Sequence, residues 1–210
     1  MAWRLLMRRS PTRSMTLVGD PAQAAEPVAP GASGADCWRA ILGPYVQDRW
    51  RHARLDVNYR TPAEVMELAA AVVRAEQPDF EPPRSVRSTG VRPWVRRVDA
   101  DDLGPAVRCA VVELTPDEGR LAVIAPRDLH ALLVDHVPGV AAGAEPDLTR
   151  PVVLLDPRQT KGLEFDHVLV VEPARYGTSD LYVALTRATQ RLGVLHTGAL
   201  PAGMADDGRP

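Results

Sequence analysis

The sequence predicts an α/β fold: a mostly parallel sheet flanked by helices. Short apolar runs fit for buried strands recur along the chain, stretches with helical spacing lie between them, and polar clusters follow the runs. Strands that alternate with helices are joined by crossovers, and crossovers make parallel pairs. The 210 residues carry 45% hydrophobic and 25% charged residues, the balance of a globular chain. A formal net charge of −2 gives no overall electrostatic footprint for nucleic acid, so any phosphate contact is local. Cys37 and Cys109 have no motif spacing, which argues against a disulfide framework or a zinc site. No signal peptide and no membrane-length apolar run is present, so a soluble cytoplasmic protein is expected, with no metal ligands of its own.

The expected strands are "MTLV" (15–18), "WVRRV" (94–98), "RLAVIA" (120–125), "PVVLL" (151–155), "HVLVVE" (167–172) and "RLGVLH" (191–196). Helices are expected at about 36–43, from Thr61 onward, and at 101–114, 127–136 and 179–190. The Thr61 helix is the best marked. Val65, Leu68, Ala69, Val72 and Val73 follow the helical period. "TPAE" supplies Thr61 as N-cap, Pro62 at the first position and Glu64 to close a capping box. Two Pro-, Ala- and Gly-rich segments, 21–36 and 137–151, read as loops. Residues 1–48 hold too little for a core of their own and read as the tail of a preceding domain, 49–200 as the main domain and 201–210 as a flexible tail.

The chain has 24 arginines but one lysine, Lys161, and one asparagine, Asn58. Both lie in polar stretches at element boundaries, "QTKGLEFD" and "NYRTP". "VGDPAQ" places Asp20 and Gln23 beyond the first apolar run. In open α/β sheets ligands bind beyond the carboxyl ends of strands, which is where these clusters are expected. In the helix expected at 179–190, Leu181, Ala184, Leu185 and Ala188 form one apolar stripe, and Arg187 points away from it.

The segments "MTLVGDPAQ", "LDVNYRTPAEV", "QTKGLEFDHVLVVEP" and "LYVALTRATQRL", in this order, resemble the third to sixth motifs of UvrD-type superfamily 1 helicases. "MAWRLLMRR" and "PPRSVRSTGVRPW" look like the HelD-like branch, motor ATPases that recycle RNA polymerase. The resemblance implies a RecA-like, P-loop NTPase-type fold: the second motor domain, without its own P-loop. It also implies ATP with Mg2+ as cofactor. Tyr59 would stack on adenine, Arg60 and Arg187 would reach the γ-phosphate as arginine fingers, and Gln23 would sense that phosphate. Glu164 would hold the ribose hydroxyl, and Gly162 would let the backbone pass close to the nucleotide. Thr160 and Lys161 would meet nucleic acid, although Lys161 fits a phosphate or a carboxylate partner equally well.

The P-loop pattern, which needs lysine after its second glycine, is absent, and no acidic pair follows an apolar run. The phosphate cradle and magnesium ligands are therefore expected in a first motor domain upstream of Met1, and this chain alone should be inactive. The segment between Arg60 and Lys161 lacks room for the large insertion of the unwinding enzymes. Arg158 stands where those enzymes often have a histidine. Both departures favour an RNA polymerase-directed motor half over a DNA-unwinding one. A truncated, non-catalytic binding module is the rival from another class.

Overall fold

The computed structural model describes residues 2–10, 12, 14–20, 34–46 and 49–205. By its internal contacts the chain divides into two units, Met1–Arg54 and Leu55–Pro210. In the first unit, α1 spans Ala2–Arg9 and α2 spans Gly34–Val46, longer at both ends than the 36–43 expected. Leu42 and Val46 are buried. Gly19 lies against the Trp38 ring, which a Cβ there would approach to 3.0 Å. The strand expected at 15–18 does not form. A strand needs a neighbour for its ladder groups, and the described residues supply none here.

The second unit runs β1 (Val57–Asn58), α3 (Ala63–Glu76), β2 (Arg84–Ser85), β3 (Trp94–Arg97), α4 (Leu103–Leu114), β4 (Leu121–Ile124), α5 (His130–His136), β5 (Val152–Leu155), β6 (Phe165–Val171), α6 (Thr178–Leu185) and β7 (Ala188–His196). The main sheet has the order β3-β7-β6-β4-β5. Every neighbouring pair in it is parallel, as the alternation of elements predicts. β1 and β2 form a separate parallel pair in register Val57–Arg84 and Asn58–Ser85.

The central strands β4 and β6 are nearly continuous apolar runs because helices cover both faces of the sheet. On one face Val107 and Val111 of α4 and Leu133 of α5 join Leu121, Val123, Leu169, Val171 and Leu195 in one core. The alternate strand residues Ala122, Ile124, Val168, Val170 and Val194 are equally buried and point to the other face. There α6 packs on β6, and α3 packs on α6 and β7. Phe80 meets Tyr182 edge-on at 5.9 Å.

Several boundaries differ from expectation. The helix expected at 179–190 stops at Leu185, and β7 begins at Ala188, paired with Phe165 of β6. A neighbouring strand with open ladder positions overrides the helical period. The Thr61 capping box does not form. Pro62 occupies the N-cap position with no side-chain cap bond, and Met66 and Ala70 are buried where Leu68 was expected. The helices expected at 101–114 and 127–136 each start as a 3-10 turn. The 137–151 loop is partly ordered into the sheet, since Ala141 bridges to Val153 and covers the outer edge of β5. Part of the expected tail is also held: a Cβ on Gly203 would overlap the α3 backbone at Ala71.

Candidate functional site

The turn before α3 is built on the single asparagine. Asn58 Oδ1 accepts the backbone N–H of Arg60 at 3.0 Å and of Thr61 at 3.1 Å. Its Nδ2 donates to the Thr61 carbonyl at 2.9 Å and to Ser85 Oγ at 3.0 Å. One short amide thus closes the turn and ties it to β2, which neither Asp nor Gln could do with the same reach and donors. Thr61, buried, turns its hydroxyl to the Thr186 carbonyl at 3.4 Å.

This turn faces the loop leading into β6. Arg60 Nη1 lies 3.7 Å from Glu164 Oε2, with both side chains partly exposed. Arg60 Nε is buried and has no hydrogen-bond partner among the described residues. Tyr59 beside it is 71% exposed, unusual for a tyrosine with no packing role. Gly162 has φ +80, a left-handed conformation, and a Cβ there would meet nothing. Its glycine is required by conformation, not by space.

Arg187 is not the solvent-facing arginine that helical angles suggest. It is 2% exposed. Its Nε donates to the Val183 carbonyl at 3.0 Å and its Nη1 to the Leu163 carbonyl at 3.1 Å. Its Nη2 lies 3.3 Å from Thr186 Oγ1. The guanidinium closes the carboxyl end of α6, where backbone carbonyls lack helical donors, and braces the loop that carries Glu164. Tyr59, Arg60, Gly162, Glu164 and Arg187 thus converge from three segments distant in sequence.

The remaining site residues fare differently. Thr160 is fully buried and its hydroxyl donates to the Pro157 carbonyl at 2.7 Å, so its side chain presents no surface to nucleic acid. Lys161 is partly exposed, 4.0 Å from Asp180 Oδ1. Such a pair is weakly bound and leaves the ammonium available. Asp20 is exposed, and Gln23 lies outside the described residues. Sequence reasoning missed the bonding of Thr61, Glu64, Ser85 and Arg87. The "RSTG" run, rich in turn-forming hydroxyls and glycine, was the available signal.

The cluster also lies at the opposite end of the sheet from the one expected. Glu164 and Arg187 immediately precede β6 and β7, and Phe165 N–H donates to the Arg187 carbonyl. At the carboxyl ends of β4 and β6, where the strand order reverses, the crevice is filled by the chain itself. The Tyr176 hydroxyl lies 3.1 Å from the Ile124 carbonyl and 2.8 Å from that of Val171, and burial raises its pKa. Arg175 Nη2 reaches both Asp128 carboxylate oxygens at 2.9 Å and lowers the pKa of that carboxyl.

Among known proteins, no family model matches the chain. No curated protein matches it either. Solved structures do. The C-terminal domain of a possible DNA helicase from Lactobacillus plantarum WCFS1 superposes with a TM-score of 0.53 at 18% identity, over 70% of this chain and 92% of that one. A PRRSV nsp10 helicase matches at TM-score 0.34 and 17% identity, over 66% of this chain and 23% of that one. An arterivirus nonstructural protein 10 helicase in complex with DNA matches at TM-score 0.39 and 14% identity, over 68% and 34%. The chain thus spans about a quarter to a third of those viral helicases. The first of these comparisons shows a shared fold, the RecA-like parallel α/β domain. Among the described residues no helix is long and apolar enough to cross a membrane.

Proposed function

We propose that this chain is the C-terminal motor half of an ATP-dependent, superfamily 1 helicase-like translocase, which completes a composite nucleotide site with a first motor domain. The observation that carries this is the Tyr59–Arg60–Glu164 constellation: an exposed aromatic ring, a guanidinium whose buried Nε has no hydrogen-bond partner among the described residues, and a carboxylate 3.7 Å from it. These groups suit the three parts of a nucleotide. An aromatic face suits a base, a guanidinium fork suits phosphate oxygens, and a carboxylate accepts from ribose hydroxyls. The resemblance of the four motifs and the shared fold support the same reading.

Arg60 is assigned to stabilise charge on the γ-phosphate, Tyr59 to hold the base and Glu164 the sugar. Gln23 is assigned to sense the γ-phosphate. Magnesium would accompany the phosphates, ligated by the first motor domain. Arg187 is assigned as a second finger. A second reading of Arg187 is favoured by its three bonds to protein oxygens: a brace for the Glu164 loop, helping catalysis only through that loop. Lys161 is assigned to meet nucleic acid or an RNA polymerase surface. The short span between Arg60 and Lys161, and Arg158, favour the polymerase-directed reading over DNA unwinding. The alternatives are the same half of an unwinding enzyme and a non-catalytic binding module.

The test is steady-state ATPase kinetics of the chain joined to a first motor domain that carries a P-loop. The chain alone should show no turnover. In the joined protein Arg60→Ala should lower kcat by about 10³-fold or more, as loss of an arginine finger does. Tyr59→Ala should raise KM with a smaller change in kcat. An Arg60→Ala kcat within about twofold of the parent would overturn the assignment.

A further inference from the structure

Resting on the assignment of Arg60 above, we propose that Glu64 and Arg87 are positioning residues that aim Arg60, acting through a clasp between the start of α3 and the loop 85–90. Arg87 Nη1 donates to the Arg60 carbonyl at 3.1 Å, and the Ala63 N–H donates to the Arg87 carbonyl at 2.9 Å. Side chain and main chain of Arg87 therefore both grip the segment that carries Arg60. The N–H of Arg60 is held from the other side by Asn58, which is itself bonded to Ser85 of the same loop.

Glu64 holds that loop in place. Its carboxylate accepts from the Ser88 hydroxyl, from the Gly90 N–H at 2.8 Å and from the Thr89 N–H at 3.3 Å. Gly90 turns with φ +71, which presents its N–H inward.

What separates this from ordinary loop packing is the bonding that α3 gives up. Thr61 and Glu64 have the spacing of a capping box, in which each would satisfy the other's backbone N–H. Here neither does. Thr61 reaches the Thr186 carbonyl next to Arg187, and Glu64 reaches residues 88–90. Local helix capping is exchanged for two long-range ties that converge on either side of Arg60. Among the described residues the Arg60 side chain is held by one long ion pair, 3.7 Å from Glu164, and its Nε has no hydrogen-bond partner, so its direction depends on how its main chain is held. Small displacements at a transition-state contact reduce catalysis far more than binding.

The test has two arms. In the 210-residue chain, nitrogen-15 NMR follows the Arg60 backbone and Nε resonances and the hydrogen exchange of the Ala63 amide. Arg87→Ala and Glu64→Ala should move the Arg60 resonances and speed Ala63 exchange by about tenfold or more, while Arg87→Lys retains most of the parent behaviour. Glu64→Gln serves in place of either variant that does not fold. In the chain joined to a P-loop domain, the same alanine variants should lower kcat by about tenfold or more with KM within about twofold, and Arg87→Lys should recover kcat. Arg60 resonances unmoved in both alanine variants would overturn the proposal. So would parental kcat in those variants when Arg60→Ala loses it. If Arg60→Ala itself keeps kcat, the nucleotide assignment fails, and the NMR arm still decides whether the clasp positions Arg60.

Discussion

Arg187 illustrates how a single residue can be read two ways until its neighbours are known. Its guanidinium satisfies the carbonyls of Val183 and Leu163, both in buried or half-buried surroundings. Removing it takes the guanidinium donor from both oxygens and leaves the Val183 carbonyl with only the Thr186 hydroxyl, 3.2 Å away, among the described side chains. Arg187→Ala should therefore destabilise the second unit by about 2–4 kcal/mol, visible as a lower thermal midpoint of the chain by itself. Arg187→Lys should lose nearly as much, because one ammonium cannot span oxygens that a planar fork reaches at once. An unchanged midpoint in Arg187→Ala would remove the brace and leave the finger role standing alone. Gly193 makes a simpler case: a Cβ there would overlap the Trp94 ring, so Gly193→Ala should cost about 1–3 kcal/mol through overpacking between β3 and β7.

At the scale of elements, the start of α3 carries a pH signature. The Ser88 hydroxyl, then the N–H of Glu64 itself, then the Gly90 and Thr89 N–H groups hold the Glu64 carboxyl down to about 2 from an ordinary 4.5. The folded state thus prefers the charged form more than the unfolded chain does. Its contribution is fully present above about 4.5 and is lost as pH falls through about 2. Glu64 lies near the surface, where water screens the interaction, so the gain at neutral pH is only about 0.5 kcal/mol. Urea midpoints of parent and Glu64→Gln should differ at pH 7 and converge near pH 2. A gap that persists to that pH would trace the loss to packing, not charge. β6 sets the scale for comparison: Leu169, fully buried between the helical layers, should cost about 2–5 kcal/mol when cut to alanine.

For the whole molecule, the two units should differ in how readily they open. The second has a five-stranded sheet covered on both faces, whereas the described part of the first has two helices and no strand. Local opening energies follow buried contact and ladder hydrogen bonds. Amides of 15–18 should exchange faster than those of 167–172 by several orders of magnitude in native-state hydrogen exchange. Equal protection of the two would mean that the first unit has a core of its own. The closed crevice at the carboxyl ends of β4 and β6, filled by Tyr176 and the Arg175–Asp128 pair, leaves the amino ends of β6 and β7 as the face where the candidate site forms.

By itself the sequence determined the fold class and, β1 and β2 apart, the run of elements in the second unit, and it marked the segments of the candidate site. Apolar runs and helical spacing are local properties, and "NYR", "KGLE" and "ALTRA" are contiguous, so no long-range contact is needed to see them. Only the tertiary structure decided how those segments meet. The helical period of 179–190 yields to a ladder with β6, because Phe165 and its neighbours offer backbone partners that a helix end cannot match. Arg187 is buried because its acceptors come from Val183 and Leu163, and the sequence does not place Leu163 beside it. The capping box at Thr61 fails for the same physical reason. Hydrogen-bonding groups go to the partners that folding brings within reach, and those partners, Thr186 and residues 88–90, lie far along the chain.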